Sequence, residues 1–319
     1  MRGKGINYDT GARFPARWTR ETFDSATARR ELEVIARDLH CTAVRISGSD
    51  PARLTIAAEH AAALGLEVWF SPFPCDLTAS EMFPLFAECA ERAEALRASG
   101  AKVVLVTGGE LSIFDRGFLP GDDVVQRAAS LRNGVPEQLN AFLGEVVDDV
   151  RRRFGGLVTY ASLPIEQIDW THFDYVSVDA YRAAHNVSTF RDEVRTLHRF
   201  GLPVAVTEFG CCTFRGAADE GGRGWLIVDR TTWTLDADYV RDEAGQSRYF
   251  AELATIFEEE GIDTAFWYTY AGYNFPHHPQ EPRRDLDLAS YGVIRLDPNG
   301  TWHPKSVFHT LSSVYAESS

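Results

Sequence analysis

A chain of 319 residues, 45% hydrophobic and 24% charged, carries enough apolar surface to close a large core, which excludes a disordered or collagen-like polymer. The net charge of −14 would repel phosphate backbones and anionic lipid headgroups, so neither nucleic acid nor a membrane is expected as a partner. The run Met1–Asn7 lacks the apolar stretch of a secretory signal, and no later segment approaches the roughly 18 apolar residues of a membrane span; a cytoplasmic protein is the expectation. Five cysteines (Cys41, Cys75, Cys89, Cys211 and Cys212) are an odd number without metal-type spacing, which argues against a disulfide framework. The vicinal pair Cys211-Cys212 closely follows Glu208, but redox or metal chemistry is the lesser reading of it.

Short β-rich runs alternate with longer amphipathic stretches along the whole chain. The first run is Gly5–Tyr8, followed by a helix whose apolar stripe is Leu32, Ile35, Ala36 and Leu39. Thr42–Ser47 leads into a helix at about Pro51–Leu64, and Leu66–Ser71 into one opened by Thr78-Ala79-Ser80-Glu81 and closed by Ser99-Gly100, where Ser or Thr oxygens cap and glycine terminates. Val103–Thr107 precedes a helix over Pro136–Phe154, at whose end Arg151, Arg152 and Arg153 offset the helix dipole. Leu157–Ala161 is followed only by a short turn near Pro164–Ile168. Tyr175–Asp179, Val204–Thr207 and Thr264–Tyr268 complete the runs, with helices over Val187–Phe200, Tyr239–Glu260 and Pro304–Tyr315. Eight strands in strict alternation predict a (β/α)8 barrel, with residues 1–319 as one domain. Three long connections, Leu111–Val135, Gly210–Ala237 and Ala271–Thr301, follow the fourth, seventh and eighth strands, the end at which barrels keep their active sites.

Glu110 follows Val103-Val104-Leu105-Val106-Thr107-Gly108-Gly109, and Glu208 ends Pro203-Val204-Ala205-Val206-Thr207-Glu208. The fourth and seventh strand ends face one another across the mouth of a closed barrel. A carboxylate directly after an apolar strand costs desolvation unless it is paired or used, so two such placements point to one purpose. Two carboxyls flanking one bond are what glycoside hydrolysis needs: one protonates the leaving oxygen, the other attacks the anomeric carbon or activates water.

On these positions the chain resembles the large clan of retaining (β/α)8-barrel glycoside hydrolases that includes cellulases, β-mannanases and β-galactosidases. The resemblance implies Glu110 as acid/base and Glu208 as nucleophile. It further matches Arg45 in Ala43-Val44-Arg45-Ile46 to an arginine supporting the nucleophile, Tyr181 in Asp179-Ala180-Tyr181 to a tyrosine beside it, and Trp267 in Ala265-Phe266-Trp267-Tyr268 to the aromatic floor of the sugar subsite. Two positions depart from the clan. Gly109 stands where an asparagine usually precedes the acid/base, and Asp179 stands where several members have histidine. Asn7, Trp69, Asp179, Tyr270 and Asn274 are further candidates for lining the cleft.

The implied activity is double displacement on a β-glycosidic bond of a small carbohydrate or glycoside, with no metal and no cofactor. Two alternatives stand beside it: a catalytically inactive barrel that binds sugar or a partner, and a barrel enzyme of non-glycosidic chemistry. Phosphate-sugar barrels favour glycine-rich loops after the last strands, and Gly221-Gly222-Arg223-Gly224 fits, but Asp219 and Glu220 beside it would repel phosphate.

Overall fold

A computed structural model describes residues 1–15, 17–131 and 137–317. Among these, eight parallel strands form one sheet: β1 (Gly3–Gly11), β2 (Ala43–Gly48), β3 (Glu67–Pro72), β4 (Val103–Gly109), β5 (Leu157–Ala161), β6 (Val176–Asp179), β7 (Val204–Phe209) and β8 (Thr264–Trp267). Their spatial order is β5-β4-β3-β2-β1-β8-β7-β6. The two ends meet through a parallel bridge between Ser162 and Val178, where the Ser162 N–H donates to the Ser177 carbonyl at 3.1 Å and the Asp179 N–H to the Ser162 carbonyl at 2.8 Å. The result is the expected eight-stranded barrel. That last seam is thin in backbone bonds and is reinforced by side chains, with Thr159 Oγ1 2.8 Å from Ser177 Oγ.

Helices α1 (Ser25–Arg37), α2 (Pro51–Ala63), α3 (Ala79–Ala98), α4 (Gln138–Arg151), α5 (Phe190–Thr196), α6 (Glu243–Glu259) and α7 (Ser306–Glu317) pack around the sheet. Their starts follow from local chemistry. Asp24 accepts from the Thr27 N–H at 2.7 Å, Asp50 accepts from Ala52 at 2.8 Å ahead of Pro51, and Glu81 returns to the Thr78 N–H at 2.8 Å. The predicted boundaries shift by only a few residues, except that the Val187–Phe200 helix narrows to α5 and a 3₁₀ turn over Leu197–Phe200. Val135 and Pro136, which bound the predicted fourth loop and helix, lie outside the described residues. The loop after β4 carries short helices at Leu111–Phe114 and Val124–Ser130, and the loop after β7 a small hairpin of Val228–Asp229 with Thr234–Leu235.

Two apolar layers result. Side chains pointing outward pack with the helices, while Ala43, Trp69, Val104, Val106, Ala161, Tyr175, Ala205 and Phe266 fill the lower interior of the cylinder. The floor at the other end from the mouth is tied by Arg2, which bridges Glu67 at 2.6 Å and Asp263 at 2.8 Å. No helix among the described residues is long and apolar enough to cross a membrane.

The loops after β7 and β8 are fastened together by buried charge. Asp287 meets Arg241 at 2.6 Å and Lys305 at 2.9 Å, Lys305 also donates to Thr213 Oγ1 at 2.9 Å, and Arg241 meets Asp285 at 2.9 Å. Lys305 and Asp287 are both fully buried, so removing one partner strands the other's charge away from water. Asp287→Ala is therefore expected to destabilise the fold by about 3–5 kcal/mol, read as a lowered denaturant midpoint with unchanged slope.

Candidate active site

Glu110 is aimed by a break in the β4 ladder. The register between β4 and β5 shifts after Val106, Gly108 turns at φ +88°, and Glu110 itself adopts a left-handed φ of +49° while its N–H donates to the Ala161 carbonyl at 2.9 Å. A Cβ at Gly108 would lie 2.8 Å from Leu111 Cδ2, so glycine is needed there on both counts. A non-glycine residue held left-handed stores strain of the kind found at functional sites.

Glu208 is placed by a similar slip in β7, which sets its Cα opposite Asp179 on β6. Arg45 Nη1 donates to Glu208 Oε1 at 2.8 Å and the Tyr181 hydroxyl donates to Oε2 at 2.8 Å. The glutamate side chain remains 15% exposed against 1% for Arg45, so the ion pair is buried on its cationic side and partly open on its carboxylate side. Arg45 is braced in turn by Ser71 Oγ at 3.1 Å and Asn7 Oδ1 at 3.4 Å, while the Asn7 amide donates to the Thr207 carbonyl at 2.9 Å.

Glu110, Asp179 and Glu208 each offer a carboxylate oxygen, and these atoms all lie within 4.8 Å of one another. Burial pushes the Glu110 carboxyl well above the ordinary carboxylate range, and the negative charges of Asp179, Glu208 and Glu166 push it further. Asp179 is raised for the same reasons, burial first and then Glu208, with Arg45 opposing. The spacing of the trio would admit a cation among the described residues, but the Arg45 guanidinium already faces it with positive charge.

The structure thus brings together Glu110, Glu208, Arg45, Tyr181 and Asp179, with Asn7 as a buried brace rather than a cleft residue. Four other candidates stand elsewhere. Trp267 is fully buried and points outward, meeting Phe209 edge-on at 5.4 Å and Phe250 at 5.6 Å, with its indole N–H on the Tyr291 carbonyl at 3.1 Å. Strand alternation turns the next residue, Tyr268, to the inside, and its phenol is raised by burial and then by the charges of Glu208 and Asp9. Trp69 belongs to the lower interior layer, its indole donating to Glu67 at 2.9 Å. Tyr270 is buried in the outer core beside Tyr8, at a ring distance of 6.2 Å, and Asn274 lies half-buried in the loop after β8.

Residues that the sequence did not announce complete the setting. Glu166, in the turn after β5, accepts from Ser112 Oγ at 2.6 Å, the Tyr160 hydroxyl at 3.0 Å and the Leu163 N–H at 2.9 Å, while Tyr160 Oη accepts from the Leu111 N–H at 2.8 Å. This network clamps the turn that carries Glu110. The signal available was a lone acid in a short turn after a strand, which is weak by itself. Above the rim, the Arg17 guanidinium lies 3.5 Å over the Trp233 ring, which stacks on Phe275 at 5.9 Å, joining the loops after β1, β7 and β8. Cys211 and Cys212 are buried thiols that burial pushes up, with Cys212 Sγ donating to the Ala289 carbonyl at 3.0 Å. They border an outer cavity of about 200 Å³ with Arg182, Asp242 and Gln246, and none of the three mouth carboxyls lines it.

No family model and no curated protein matches the sequence. Solved structures do match in fold. A GH113 β-1,4-mannanase superposes with a TM-score of 0.66 at 14% identity, covering 99% of this chain and 98% of its own. The GH113 β-mannanase of Alicyclobacillus acidocaldarius gives 0.65 at 16% identity, with coverage of 99% and 98%. Saccharomyces cerevisiae Gas2p, solved with laminaripentaose, gives 0.58 at 14% identity, covering all of this chain and 65% of its own. The chain therefore has the barrel fold of these carbohydrate-active proteins.

Gly109 shows what the tight packing permits. A Cβ there would lie 2.9 Å from Arg45 Nη2 and 3.2 Å from Ala161 Cβ, and the guanidinium is too well braced to step aside freely. Gly109→Ala is expected to cost about 1–3 kcal/mol through overpacking, measurable in denaturant unfolding, whereas Gly65→Ala, with open space around it, should cost no more than its own positive φ imposes.

Proposed function

We propose that the protein is a retaining β-glycoside hydrolase in which Glu208 is the nucleophile and Glu110 the acid/base, acting on a small carbohydrate or glycoside. The observation that carries this reading is the approach of the two carboxyls, within 4.8 Å at their nearest ligand atoms. Retaining enzymes hold the pair about 5–5.5 Å apart, while inverting enzymes separate them by about 6.5–9.5 Å to admit a water molecule. The likeness of fold to β-mannanases supports the same reading.

The chemistry follows from the environments. Glu208, faced by Arg45 and the Tyr181 hydroxyl, attacks the anomeric carbon as the glycosidic C–O bond breaks, and Glu110, kept protonated by burial and neighbouring negative charge, delivers its proton to the departing oxygen. Forming the glycosyl ester removes the negative charge of Glu208. Glu110 is then the ionised partner that takes a proton from water, whose oxygen attacks the ester-linked carbon and frees Glu208.

Turnover of aryl β-glycosides should fall by about 10⁴-fold or more in Glu208→Ala, and a fluorinated glycoside should label Glu208 in peptide mapping. Glu110→Ala should lose about 10²–10⁴-fold on a poor leaving group and less on 4-nitrophenol, which departs with little help. A raised carboxyl pKa keeps the acid protonated to higher pH, so kcat/KM should be flat through the mildly acidic range and decline as pH rises through the Glu110 titration. Absence of turnover across a broad glycoside panel, with sugar binding intact, would replace this reading with that of a binding barrel.

A further inference from the structure

We propose that Asp179 is a positioning residue that shares one proton with Glu110, holding the acid/base in its protonated form before each catalytic cycle; this rests on the glycosidase reading above. The case begins with burial. Asp179 is 2% exposed at the end of β6, and neither of its carboxylate oxygens has a well-aligned hydrogen-bond partner among the described residues. A buried carboxylate is costly unless it is bonded, and the groups within reach of Asp179 are the Thr207 hydroxyl and Glu110 itself. A third negative charge among three carboxyls within 4.8 Å of one another, faced by one guanidinium, is one more than a low-dielectric floor holds.

The groups facing this pair are Arg45 from β2, Tyr160 and Glu166 from β5 and its following turn, Tyr181 beyond β6, Glu208 from β7 and Tyr268 beyond β8. Of these only Arg45 is a cation, and its Nη1 is engaged with Glu208. One guanidinium therefore faces three carboxyls, with a fourth, Glu166, close behind. A proton that relieves part of this excess of negative charge settles on the two groups with no hydrogen bond to the guanidinium, Glu110 and Asp179, and both are pushed up accordingly.

Asp179 itself touches no reacting atom in this scheme. When Glu110 gives its proton to the leaving oxygen, Asp179 remains ionised and Glu208 has become a neutral ester, so the total charge of the trio is unchanged. Hydrolysis of the ester returns the negative charge to Glu208, and the proton that Glu110 takes from water restores the shared pair.

The test compares wild type with Asp179→Asn, which keeps the shape and removes the charge, and with Asp179→Ser should the first not fold. With a phenyl β-glycoside, the alkaline limb of kcat/KM is expected to move about one pH unit or more toward acid in the variant. A structural role alone would lower the rate without moving the limb. Independently of turnover, ¹³C-carboxyl NMR titration, with the Glu110 signal assigned by its loss in Glu110→Gln, should show Glu110 titrating about one unit or more lower in Asp179→Asn. An unmoved Glu110 titration overturns the proposal and leaves the glycosidase reading standing. A shifted titration in a protein that turns over no glycoside sustains proton sharing and overturns the function instead.

Discussion

The mouth of this barrel is organised by one cation placed beneath several acids. Arg45 leaves β2 into the cylinder, is braced by Ser71 and Asn7, and meets Glu208 at 2.8 Å from below. Without that guanidinium, three carboxyls gathered at the end of a hydrophobic tube would be an electrostatic liability of several kcal/mol per buried charge. With it, Glu208 is paired with a cation while Glu110 and Asp179 are left to burial and neighbouring negative charge, which raise both, so that surroundings alone set chemically similar side chains apart.

The scaffold around this centre separates its tasks. Apolar layers inside and outside the sheet fix the strands, while strand ends depart from regular register to aim side chains. The slips after Val106 and at Asp179 opposite Glu208 are where regular β structure gives way to the gathering of the three carboxyls. Polar clamps then hold the departures in place: Glu166 with Tyr160 and Ser112 on one side, and the Arg241–Asp287–Lys305 network on the other.

Much of this was legible in the residues. Eight alternating runs marked the barrel because strands covered on both faces must be apolar throughout, and an acid placed directly after such a run, as with Glu110 and Glu208, is expensive unless used. Arg45 and Tyr181 both stand within hydrogen-bonding distance of Glu208. Trp267 illustrates the limit: a barrel strand is apolar on both faces, so hydrophobicity does not say which of Trp267 and Tyr268 points inward, and a one-residue difference in phase exchanges them. Trp69 points inward as a cleft residue would, but too low in the cylinder, and depth along a strand leaves little trace in composition. Glu166 was silent because its partners, Ser112 and Tyr160, come from other segments of the chain.

The seam that closes the cylinder has a mechanical meaning. Glu110 hangs from the Ala161 carbonyl at the end of β5, whereas Asp179 hangs from the Ser162 carbonyl across the gap to β6, so the two acids stand astride the joint with the sparsest backbone ladder. The gap between their oxygens therefore spans the edge of the tube that the fewest backbone bonds hold. Breathing there, visible as faster amide exchange at Ser162 and Asp179 than along β1 to β4, would modulate acidity directly, making proton affinity at the mouth a gauge of barrel closure.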